Sequence, residues 1–374
     1  MRRPSDAALT TPWAQTLADA IRGRSSGWST LAEVPPARVV DAARRHGVAP
    51  LLASACPSDA HPELGGALRE ELVRAVARDG LIDAALRALT ASLADAGIDA
   101  LLFKGADLAY SCYPQSYLRS RTDSDILVAP AARAGAQHVL QRLGYSPMPQ
   151  SGGDLLMYQE PFVLRAGDRL LHTVDLHWRA ANPQSFGDVA PFEPLWAGSE
   201  VRSRLGAGAR GLTPVHAFTL SCVHRLAHHY DDDRLIWIHD LHLLARRMTT
   251  ADWGHLITWA TSRRAVAACA RGIALTTSLF GTAVPDEVGA TLAQTGGHEP
   301  HTLQYFGHGR HVDRILTDLA LTPTWSARAR LARQHVFPSA RYMRDVYAPG
   351  SALPVAVLYM QRAWRGARRW IART

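Results

Sequence analysis

The strongest constraint on this chain is a change of periodicity at residue 97. Upstream, apolar residues recur at spacings of three and four, the signature of helices packing one face. Downstream they collapse into short apolar runs punctuated by Gly and Pro. Residues 98–103 form such a run, ending at Lys104 and Gly105, and predict a buried strand followed by a short helix that Pro114 stops. Residues 123–128 alternate into a second strand. Pro130 opens a helix over 131–143 that Gly144 closes, and 155–164 and 170–178 predict two further strands around the turn at 166–168. The order strand, helix, strand, helix, strand, strand calls for an α/β (α+β) core: a small mixed sheet with helices on one face.

On either side the pattern is helical. Upstream, 79–96 places Leu81, Ala85, Leu89 and Leu93 on one stripe, with Gly97 as its stop. Downstream, helices are expected over 215–230 and 235–248, with one or two more in 252–278. The stretch 281–309 is turn-rich, and a last helix is expected over 355–372. These shifts divide the chain into an N-terminal helical region (1–96), a central core (97–205) and a C-terminal helical domain with a basic tail (206–374).

Composition matters mainly for where the charge lies. The net charge is +8, but ten arginines and one acid, Asp345, follow Trp325, so everything before it sums to about −1. The body is neutral and a nucleic-acid reading attaches to the tail alone. No apolar stretch reaches the roughly 18 residues of a membrane span, and the N-terminus lacks the apolar segment of a signal peptide. The four cysteines are scattered and are expected to be reduced thiols. A cytoplasmic protein without integral membrane association is the expectation.

Three features of the core carry chemistry. Gly105, at a strand end and helix start, lets backbone approach a phosphate. Asp123 and Asp125, two apart on a strand, point to one face and offer hard oxygen ligands suited to Mg²⁺. Asp175 interrupts an apolar strand, where an unpaired carboxylate is costly. Beside the second strand it would complete a three-carboxylate site that needs cations. Two Mg²⁺ ions there would align an attacking hydroxyl with a pyrophosphate leaving group.

Residues 101–110 (LLFKGADLAY), 118–128 (LRSRTDSDILV) and 174–178 (VDLHW) resemble a bacterial family of uncharacterised nucleotidyltransferases of the polymerase-beta-like superfamily. The resemblance continues at 224–228 (HRLAH), 234–241 (RLIWIHDL), 337–339 (FPS) and 358–362 (LYMQR). It implies a nucleotidyltransferase in which Asp123 and Asp125 bind two Mg²⁺ ions and Asp175 holds the second while helping deprotonate an acceptor hydroxyl. It places Gly105 against the triphosphate of an NTP, and Lys104, the only lysine in the chain, and Arg119 match basic positions of the motif. His177, on the strand face of Asp175, would contact phosphate or acceptor. Two departures stand out: Ala106 where the wider superfamily has Gly or Ser, and a long interval between Gly105 and Asp123.

The alternatives are a kinase on the same fold, an inactive nucleotide- or RNA-binding protein, and an HD-type hydrolase built on His239 and Asp240 with His224, His228 and His229 upstream. Asp231, Asp232 and Asp233 suggest a solvated turn. The acceptor stays open between a small metabolite, a peptide and an RNA end. For the Arg/Trp-rich tail, RNA, an anionic membrane and simple packing of its apolar stripe on the body are all compatible.

Overall fold

A computed structural model of the 374-residue chain describes residues 12–58, 62–150, 153–297, 299–306, 311–348 and 353–371. Five helices come first: α1 (Pro12–Ile21), α2 (Ser25–Ala32), α3 (Pro36–Arg45), α4 (Ala49–Ser54) and α5 (Pro62–Asp95). The core follows with β1 (Ala100–Phe103), α6 (Lys104–Ser111), β2 (Ser124–Val128), α7 (Arg133–Arg142) and β3 (Ser146–Pro147). It continues through β4 (Gln159–Ala166), β5 (Arg169–His177), α8 (Phe192–Ala197), β6 (Glu200–Val201) and β7 (Arg210–Gly211). Next come α9 (Pro214–His229), α10 (Leu235–Ala245), α11 (Thr250–Ser262), α12 (Val266–Phe280), α13 (Asp286–Gly296) and α14 (Pro300–Leu303). The chain closes with α15 (His311–Leu321), α16 (Trp325–Val336), α17 (Ala340–Tyr347) and α18 (Val355–Ile371).

The mixed sheet has seven strands in the order β3-β4-β5-β2-β1-β7-β6. β2 runs antiparallel to β1 and parallel to β5, and β4 closes a hairpin on β5. The two-residue strands β6 and β7 were too short for any sequence period to reveal. β7 adds to β1 in parallel.

Helices cover both faces of this sheet, where one covered face was expected. All five residues of β2 are buried, so neither side of the strand faces water. Leu102, Ile126, Val128, Val174 and Leu176 pack with α5 and α7. The opposite set, Leu101, Phe103 and Leu127, belongs to the larger core formed with the N-terminal helices and α9 to α12.

Two local expectations change as well. The helix expected over 79–96 is the second half of a 34-residue helix, α5, and its buried stripe there is Ile82, Leu86, Leu89 and Leu93. Leu81 is exposed instead, because the sheet below sets the rotation of the helix. The stretch expected to be turn-rich contains α13, anchored by buried Val288 and Leu292 against α12. No helix among the described residues is long and apolar enough to cross a membrane.

Candidate active site

Strand register builds the site. In the parallel pair β2–β5, Asp125 is the direct partner of Asp175 and Leu127 that of His177. Alternation places Asp125, Asp175 and His177 on one face of the sheet. One ligand atom from each lies within 4.8 Å of the others, a group able to hold a metal ion. Asp123, just ahead of β2, stands on the wall of the same cavity but outside this tight group.

A cation already sits among the carboxylates. Lys104 Nζ donates to Asp125 Oδ1 at 2.7 Å, and His177 Nε2 lies 2.9 Å from the same oxygen. Lys104 gets there through a left-handed backbone, φ 52°, at the turn from β1 into α6. Such a conformation is uncommon for a residue with a Cβ and marks a constrained position. At the next position, a Cβ on Gly105 would press within 3.2–3.3 Å of the Arg119 guanidinium, so glycine lets the arginine close over the helix start.

The acids titrate apart. Burial opposes ionisation of Asp125, but Lys104 and His177 outweigh it and hold its carboxyl below the usual range. Asp123 is raised by burial and by the charge of Asp125. Asp175 is pushed up to about 7, first by burial and then by Asp125 and Asp123. Gln159 Nε2 donates to Asp175 Oδ2 at 2.9 Å, a contact no sequence signal suggested. His177 is pushed down to about 4 by burial and by Lys104, so it is neutral at pH 7. An oxygen-rich set with one neutral imidazole suits a divalent cation, which would relieve the repulsion that raises Asp175.

Arg119 is buried and grips Asp240 of α10 through Nε and Nη2 at 2.7–2.9 Å. The Tyr113 hydroxyl donates to the same carboxylate, and His239 Nδ1 lies 3.0 Å from that hydroxyl. His239 and Asp240 thus tie the C-terminal helices to the core. Neither belongs to the group close enough to share a metal among the described residues, which removes the basis for the HD-type hydrolase. His224 and His229 contact each other through their Nε2 atoms at 3.1 Å, and the Trp237 ring packs against that of His229 at a tilt of 31°. The expected solvated acid turn is also corrected at Asp231, whose carboxylate is nearly buried between Arg225 and Arg271.

The acids open onto a cavity of about 620 Å³ between the central strands β2 and β5, the N-terminal helices and α9–α10. Its far walls carry Arg44, Arg74, Arg78, Arg121 and Arg234. Arg44 and Arg74 share Glu71, and Arg121 pairs with Asp79. Arg78, bonded to the Thr122 carbonyl, and Arg234, whose charge faces Asp123 and Asp232, have no ion pair among the described residues. Arg121 belongs to the same segment as Asp123, whereas Arg44, Arg74, Arg78 and Arg234 come from segments far from the acids in sequence, and nothing local marks those four as lining.

The mixed seven-stranded sheet with helical flanks is the architecture of a nucleotidyltransferase core. The chain belongs to a family of uncharacterised nucleotidyltransferases, whose model matches residues 32–281. No curated protein matches it.

Proposed function

We propose that this protein transfers a nucleoside monophosphate from an NTP to an acceptor hydroxyl, with Mg²⁺ and release of pyrophosphate. The observation that carries this reading is the in-register Asp125–Asp175 pair, with His177 beside it and Asp123 on the same cavity wall. In this reading the core of residues 97–205 supplies the chemistry, and the flanking helical regions close the cavity around the substrates.

Asp123, Asp125 and Asp175 would hold the metal, with His177 placed to add a fourth ligand or meet a phosphate. The bound Mg²⁺ would supply charge neutralisation and alignment of the attacking and leaving oxygens. Asp175, on the cavity wall beside Asp125, is the group this reading assigns to accept the proton of the acceptor hydroxyl. The acceptor oxygen then bonds to the α-phosphorus as the bond to the pyrophosphate oxygen breaks. Lys104 and the start of α6 at Gly105 offer positive potential to the triphosphate. Arg119, held by Asp240, presents its remaining edge toward Gly105.

The test follows α- and γ-labelled NTPs with Mg²⁺ and cell extract, using Asp123→Ala and Asp125→Ala as controls. Transfer of the α-label, lost in both variants, is the expected result and identifies the acceptor as a metabolite, peptide or RNA. Transfer of the γ-label would make the protein a kinase. Nucleotide binding without movement of either label would mark an inactive binder. Full transfer by Asp125→Ala would overturn the site.

A further inference from the structure

The C-terminal appendix, beyond the family match at 281, is built in the opposite sense to a solvated helical surface. Among the described side chains, each of α16, α17 and α18 has one that is completely or almost completely buried: Leu331, Met343 and Leu358. Their larger apolar side chains point outward. On α18, Met360 is 64% exposed and Trp364 85%, one helical turn apart, with exposed Ala356 and Ala363 on the same face. Two polar side chains described on this helix, Tyr359 and Arg362, turn inward. Arg362 Nη1 donates to the carbonyls of His335 and Val336, and the Tyr359 hydroxyl donates to that of Pro338. Those bonds set the end of α16 against α18, where Phe337 packs edge-on to Tyr359 and both Val336 and Phe337 remain exposed.

An arginine that satisfies backbone while a tryptophan faces water is an arrangement that stabilises the monomer poorly. It suits a helix lying in an interface, with apolar groups entering the acyl boundary and basic groups at headgroup level. The charge agrees, since the segment from Trp325 carries ten arginines against one acid. Single-stranded RNA would match the charge, but it is gripped by flat rings on which bases stack. Trp364 and Phe337 do offer such planes, but the exposed aliphatic Met360 and Val336 beside them give a base nothing to stack on and are at home among lipid chains. The 17-residue α18 is too short and too charged to span a bilayer, so it would lie on the surface.

We propose that the outer face of α18, with the adjoining end of α16, docks this protein onto anionic lipid surfaces. The test uses the full chain and vesicles of phosphatidylcholine with or without phosphatidylglycerol. Co-sedimentation is expected with the phosphatidylglycerol vesicles only, weakening as salt screens the arginines. Met360→Ser with Trp364→Ser should weaken it at least ~10-fold. Both side chains are exposed, so the melting temperature should hold. Brominated lipids should also quench the wild type more than Trp364→Phe, a comparison that does not depend on the double variant. Several results would overturn the proposal. These are no binding to phosphatidylglycerol vesicles, binding indifferent to the two substitutions, loss of RNA binding in their place, or a dimer that the substitutions dissociate.

Discussion

Replacing Asp175 by Asn should make the metal-free protein more stable while abolishing transfer. The Asp175 carboxyl is raised from 3.8 to about 7 by burial and by the neighbouring charges of Asp125 and Asp123. Between those values the native state keeps a proton that the unfolded chain has released. Stability therefore falls as pH climbs through that window, and the penalty is complete above about 7. At about 1.4 kcal/mol per tenfold change in proton affinity, the upper bound is about 4 kcal/mol. Residual solvent contact at Asp175 roughly halves this, to about 2 kcal/mol. Asn keeps an oxygen for Gln159 and carries no charge. In EDTA the variant should melt about 2–3 °C above wild type near pH 8, with a gap roughly half as large near pH 5.5. The buried histidines lose stability at low pH in both proteins and cancel in the difference. Mg²⁺ should then raise the melting temperature of the wild type far more than that of the variant. A variant no more stable than wild type at pH 8, or a gap that does not widen with pH, would refute the reasoning that the carboxylates are crowded.

Further outcomes follow from particular contacts. Lys104→Met removes the cation competing for Asp125, so Mn²⁺ binding without nucleotide, read by paramagnetic resonance, should tighten roughly tenfold, the equivalent of one charge-assisted hydrogen bond. Unchanged affinity would show that the ammonium does not compete for the site. Asp240→Asn should leave the buried Arg119 charge short of its partner and cost about 3 kcal/mol or more in urea unfolding, whereas Arg119→Met with Asp240→Leu should cost much less. Equal losses would refute the ion-pair account. Gly211→Ala would drive a Cβ into the buried Asp107–Arg202 pair that holds β7 beside β1. A marked drop in melting temperature is expected, and a wild-type value would show that the pair can shift freely.

What the sequence determines by itself is what repeats over a few residues. The period-two alternation predicts β2 and the face of Asp125, although the strand begins only at Ser124 and leaves Asp123 ahead of it, and Gly105 near a strand end announces a close approach, since both follow from backbone geometry within one element. The alternation of apolar runs also announces a mixed α/β core. Only the tertiary structure decides which distant groups meet. Asp175 becomes the partner of Asp125 through the β2–β5 register, fifty residues apart. Arg119 finds Asp240 across two regions, Lys104 turns onto Asp125, and Gln159 reaches Asp175. The same division governs the helices. Amphipathic spacing predicts α5 and α18, but their rotation depends on what they pack against. The sheet beneath α5 turns Leu81 outward, and the carbonyls at the end of α16 draw Arg362 inward. With those bonds made and Leu358 as the buried anchor, Met360 and Trp364 are left facing water. Local periods specify a stripe, and the free energy of burying one side of a helix, summed over contacts remote in sequence, selects which stripe it is.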